Sequence, residues 1–95
     1  MKLSGIKKLH DFKKKYADAR SQIDSWKAEV EEAQWSTPHE LKSRYPKARL
    51  IGDQHVVFNI LRNRYRLWVR VSYKNGIVLI KKVGTHKEYD NWEIG

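Results

Sequence analysis

The sequence predicts an α+β fold, with helices first and a mainly antiparallel sheet after them. Two observations carry this. Apolar residues recur every three or four positions up to about Ala33, and beyond Lys47 the period falls to two with β-branched and aromatic residues dominant. A third observation bounds it: 95 residues can bury one core and not two, so residues 1–95 are expected to form a single domain.

Ile6, Leu9, Phe12 and Tyr16 make one helical stripe, with Lys7, Lys8, Lys13, Lys14 and Lys15 off it. Ala19, Ile23, Trp26, Val30 and Ala33 make a second, and Asp18 stands where an N-cap is expected. Thr37-Pro38-His39-Glu40 reads as a cap, a proline at the first helical position and a capping-box glutamate, opening a short third helix that runs to about Arg44 before Tyr45-Pro46. His55–Leu61, Asn63–Tyr73 and Gly76–Val83 then read as a three-stranded meander. Its turns fall at Arg62-Asn63 and at Asn75-Gly76, where both residues tolerate positive φ. Met1–Ser4 is the candidate for one more strand ahead of the helices.

Along the middle strand, alternation sends Tyr65, Leu67, Val69 and Val71 to one face and Arg64, Arg66, Trp68, Arg70 and Ser72 to the other. The apolar set needs the helices, which leaves guanidinium groups and an indole pointing away from them. Arginines stacked along a strand repel one another, a cost that phosphates reverse, and an interleaved tryptophan offers a face on which an unpaired base can lie. Single-stranded RNA fits this face better than duplex. The net charge of 20 − 11 = +9 adds a long-range field that draws polyanions.

The chain has no cysteine, which excludes disulfides, thiolate metal sites and cysteine nucleophiles. His10, His39 and His55 lack metal-ligand spacing, so neither metal nor cofactor is expected. The longest uncharged run, Gln54–Leu61, is far shorter than a membrane span, and no apolar stretch follows the basic residues of Met1–Lys8. A cytoplasmic protein without membrane contact is the expectation. In the tail Val83–Asp90, one turn of helix would put His86 on one face with Tyr89 or Asp90. Histidine titrates near neutrality and is the natural residue to move a proton in a metal-free reaction.

Val57-Phe58-Asn59-Ile60, Asn63-Arg64-Tyr65-Arg66-Leu67, Val71-Ser72-Tyr73 and Gly84-Thr85-His86-x-Glu88-Tyr89-Asp90 together resemble the HigB-type toxins of bacterial toxin–antitoxin systems. In the first half Leu9-x-x-Phe12, Asp18-Ala19, Trp26, Ala33-x-Trp35 and Tyr45-Pro46-x-Ala48 follow the same order, so the resemblance spans nearly the whole chain. It implies a RelE-like fold, two N-terminal helices plus a short third helix packed on the sheet. It also implies a metal-independent endoribonuclease that cuts mRNA on translating ribosomes and is silenced by a helix-turn-helix antitoxin of the HigA type. Operator DNA would then be bound by the toxin–antitoxin complex through the antitoxin. Leu61-Arg62 departs from a glycine turn frequent in the family, Trp68 replaces a smaller residue and Lys87 an alanine.

Such cleavage needs the 2′-OH deprotonated, the 5′-oxygen protonated and the phosphorane's charge neutralised. The candidates are His86 as acid or base, Tyr89 as its orienter or partner, and Arg66 at the reacting phosphate. Arg62, Arg64, Arg70, Trp68, Lys81 and Lys82 are the candidate RNA contacts, because guanidinium forks meet phosphate oxygens two at a time. The alternative reading is a nonenzymatic RNA- or DNA-binding domain, which would share the basic strand and have no use for the His86–Asp90 tail.

Overall fold

The computed structural model describes residues 1–95. Strand β1 (Lys2–Ser4) turns into helix α1 (Ile6–Lys15) at Gly5. That residue has φ +84°, and a Cβ on it would stand 3.0 Å from the Ile80 carbonyl oxygen, so only glycine fits. The stripe read from the sequence buries Leu9 and Phe12 of α1 and Ile23, Trp26 and Val30 of helix α2 (Arg20–Glu32). Asp18 does not cap α2. A 3₁₀ turn over Ala17–Ala19 runs straight into the helix, leaving no extended residue where a cap would sit. The Asp18 carboxylate instead accepts the Tyr65 hydroxyl at 2.7 Å, and burial together with this contact pushes the Tyr65 phenol up from its ordinary value.

Helix α3 (Pro38–Arg44) opens as expected, with the Thr37 hydroxyl accepting the Glu40 amide at 3.3 Å. The Glu40 carboxylate reaches back to the Ser36 amide, one residue ahead of the cap, at 3.1 Å.

Strands β2 (Arg49–Ile51), β3 (His55–Ile60), β4 (Tyr65–Ser72) and β5 (Ile77–Thr85) complete a five-stranded sheet in the order β1-β5-β4-β3-β2. The β3-β4-β5 meander is the one expected. Beyond it, β1 joins β5 in parallel and the short edge strand β2, which the periodicity did not reveal, pairs with β3. Pairing of Tyr65 with Thr85 carries β5 past Val83, where the sequence suggested it would end. Trp68 pairs with Lys82 and Val69 with Ile80, so Lys81 is an extra bulge residue.

Helices α1, α2 and α3 lie on one face of this sheet. Tyr65, Leu67, Val69 and Val71 all join the core cluster between the layers, as alternation requires. Arg66, Trp68 and Val57 are buried outside that cluster, on the opposite face.

Candidate active site

The face of the sheet away from the helices is partly closed by the tail. Thr85 ends β5 and caps helix α4 (His86–Tyr89) with a complete capping box: its hydroxyl accepts the Glu88 amide at 3.2 Å, and its amide donates to the Glu88 carboxylate at 2.9 Å. The bond from the Thr85 amide is the main reason the Glu88 carboxyl lies below its ordinary value. This places His86 in the first helical position, its amide held by the Arg64 carbonyl at 3.1 Å. The tail then crosses Gly84 so closely that a Cβ there would be 3.0 Å from the Trp92 ring.

Tyr89 consequently lies above Arg66, whose guanidinium carbon is 5.1 Å from the ring centroid. Arg66 is only 9% exposed, and its Nη1 has no hydrogen-bond partner. A charged donor left in this state costs free energy, on the order of 1–3 kcal/mol, until an acceptor arrives. From the sheet edge Arg49 donates to the Tyr89 hydroxyl oxygen at 2.6 Å. The His86 ring stands 6.4 Å from that of Tyr89 between centroids, and its Nδ1 is 3.5 Å from Asp90 Oδ2. Arg70 is exposed, with its Nε donating to Gln54 at 2.9 Å.

One expected contact is covered and two sit elsewhere. Trp68 is 6% exposed and is no open platform for a base. Trp92 lies 6.2 Å from it, the Lys81 ammonium is 5.7 Å from its ring centroid, and its indole N–H donates to His55 Nδ1 at 3.0 Å. Arg64 precedes β4, and its guanidinium crosses to the helix side to meet Asp18 at 3.0 Å. Arg62, in a left-handed turn at φ +60°, lines a cleft beside α2 with Trp26 and Phe58 instead of lengthening the Arg66–Arg70 strip. Lys81 and Lys82 line the groove between α1 and β5, next to Trp92.

Sequence reading missed Arg49, Trp92 and the contact made by His55. Nothing in the pattern marks Arg49. The capping-box spacing Thr85-x-x-Glu88 was the available signal for where α4 begins and hence for where His86 stands.

Helices on one face of a mixed sheet, with guanidinium groups, a phenol and an imidazole gathered on the other, make an α+β domain of RelE-like architecture. Residues 19–92 match the HigB toxin family, described as the RelE-like toxic component of a toxin–antitoxin system, and the chain belongs to that family. It is similar to the mRNA interferase toxin HigB of Escherichia coli K12, 29% identical over 92 residues that cover 95% of this chain and 88% of that protein. Its similarity to the mRNA interferases HigB of Escherichia coli O157:H7 and Shigella flexneri is the same, 29% over 92 residues.

Proposed function

We propose that this chain is the toxin of a type II toxin–antitoxin pair, a single RelE-like domain over residues 1–95 that cleaves mRNA without a metal ion. The observation that supports it most directly is Arg66: nearly buried, lacking a partner for one terminal nitrogen, and stacked under Tyr89 in the turn that bears His86. A scissile phosphate supplies the acceptor that Arg66 lacks. His86 takes the 2′-OH proton as the 2′-oxygen attacks phosphorus, and Asp90 steadies the imidazolium that forms. The P–O5′ bond breaks, the 5′-oxygen receives a proton, and Arg66 neutralises the charge gathered on the phosphorane. The products are a 2′,3′-cyclic phosphate and a 5′-hydroxyl. Arg70, Lys81 and Lys82 draw the flanking phosphates.

The finer reading places this reaction on translating ribosomes in the cytoplasm. The silencing partner is a helix-turn-helix antitoxin of the HigA type, through which the complex binds operator DNA. The family description supports an antitoxin partner, and the names of the relatives support an mRNA target.

The test is cleavage of a defined RNA, and of messages mapped by primer extension after pulse expression. Wild-type protein should leave cyclic-phosphate ends at a rate unaffected by excess EDTA on an RNA that itself needs no magnesium. His86→Gln should slow the reaction about 10²- to 10⁴-fold with the fold intact. RNA binding without cleavage would favour the nonenzymatic reading, and 5′-phosphate products would defeat the mechanism.

A further inference from the structure

Arg49 lies at the edge of the sheet on β2, and Tyr89 lies in the turn that follows β5, with two strands between them in the sheet order. An exposed arginine normally extends into water. This one instead reaches over the free face to the phenol oxygen, at 2.6 Å and 40 residues away in sequence. Arg66 meets the same side chain from another direction, against the ring. One tyrosine thus holds two cations.

The direction of the Arg49 bond decides what the phenol can do. A guanidinium only donates, so Arg49 occupies an acceptor position of the hydroxyl oxygen and leaves the phenolic proton to be given elsewhere. If that proton departs, the negative charge left on oxygen and ring lies against Arg49 and Arg66, in place before the reaction starts. His86, 6.4 Å away between ring centroids, remains for the opposite transfer.

We infer that Arg49 is a positioning residue that presents Tyr89 as the proton donor to the departing 5′-oxygen. The inference rests on the nuclease reading above. As the 2′-oxygen bonds to phosphorus and its proton passes to His86, the P–O5′ bond breaks with its electron pair on the 5′-oxygen. That oxygen takes the Tyr89 proton, and the phenolate later recovers a proton from water or from His86.

The test is single-turnover cleavage by the full chain at saturating enzyme, for Arg49→Ala, Arg49→Lys, Tyr89→Phe and the double variant Arg49→Ala/Tyr89→Phe. Arg49→Ala should lower the saturating rate roughly 10- to 100-fold, the range for losing a hydrogen bond to a charged group. Arg49→Lys, which can donate to the same oxygen, should recover part of it. In the Tyr89→Phe background Arg49→Ala should change nothing further, because its effect passes through the hydroxyl.

A second substrate, with sulfur replacing the scissile 5′-oxygen, has a leaving group that departs without a proton. On it Tyr89→Phe and Arg49→Ala should both return to within a fewfold of wild type, while His86→Gln stays slow. Equal losses from Arg49→Ala in both backgrounds, weaker binding at an unchanged saturating rate, or no recovery on the sulfur substrate would each overturn the inference while the nuclease reading stands. A wild-type protein that cleaves no RNA would overturn both.

Discussion

The two faces of the sheet are built to different ends. On the helix side, nineteen buried apolar residues interlock in one cluster; at its margin Tyr65 finds a partner in Asp18, while the Trp26 indole N–H and the Tyr73 hydroxyl, both neutral, go without. On the other side, burial comes from stacking one cation or ring on the next: Arg66 under Tyr89, Tyr89 beside Trp92, Trp92 near Trp68. The buried guanidinium there keeps an unpaired nitrogen. A face that only had to hold the fold together would have an aliphatic side chain at position 66. What sets this donor apart from the unpartnered Trp26 and Tyr73 groups is its charge, which makes its burial the costlier of the three and is the reason the proposed reaction is centred on it.

The largest effect that tests this division belongs to the helix side. Trp26 is 3% exposed, packs edge-on to Phe58 at 5.3 Å, and should cost about 3 kcal/mol of stability as Trp26→Ala in a denaturation curve. The low end of the usual range is expected because Trp26 already lines a cleft of about 410 Å³, and because its indole N–H has no partner to lose. Cleavage per folded molecule should be unchanged, and a large loss there would join the two faces into one functional unit. On the other face the opposite pattern is expected. Arg66→Met keeps the volume and removes the unpaired donor, so it should abolish cleavage while raising stability by about 1 kcal/mol. A lower denaturation midpoint for this variant would mean that Arg66 holds the fold, and the contrast would break.

The same division separates what could be read in advance from what could not. Helix stripes, the Thr37 cap and the alternation of β4 were legible because each is a local pattern with one physical solution, apolar residues meeting an apolar layer. Asp18 looked like a cap and proved to be a partner for Tyr65, since capping depends on backbone geometry that a 3₁₀ turn changed. On the free face, alternation correctly separated Arg66, Trp68 and Arg70 from the core. It could not show that Trp92 folds over Trp68, that Arg64 turns back to Asp18, or that Arg49 reaches Tyr89 from a three-residue strand. Those outcomes depend on side chains tens of residues apart meeting in space, and period carries no information about them.

Arg70 and Arg64 sharpen the contrast further, because they look alike in the sequence and differ in the structure. Arg70 is exposed on the free face, and Arg70→Ala should reduce the slope of log affinity against log salt for single-stranded RNA by about 0.7, one phosphate contact. That amounts to roughly a threefold smaller change in affinity between about 50 and about 200 mM salt. Arg64, turned toward Asp18, should leave the slope unchanged as Arg64→Ala. Equal slopes for the two variants would put both on the RNA path and return Arg64 to the strip where alternation first set it.

The smallest effect concerns two tyrosines on opposite sides. Tyr89 accepts a bond from Arg49, whereas Tyr45 donates its hydroxyl to the Glu29 carboxylate beside the α2 cleft. Burial first, and then the hydrogen bond to the Glu29 carboxylate, push the Tyr45 phenol well above its ordinary value of 10.0. A group whose folded value is raised favours the fold while it is protonated. Its contribution is complete below the unfolded value and is lost as pH climbs toward the folded one. Between about pH 9 and about pH 11 the wild-type denaturation midpoint should therefore fall further than that of Tyr45→Phe, which has no phenolic proton to lose. The comparison between the two proteins cancels the alkaline titration of the lysines they share. Equal losses in both would mean that the Tyr45–Glu29 contact contributes nothing to the fold, and that the helix side tolerates an idle polar pair as readily as the site tolerates the unpaired nitrogen of Arg66.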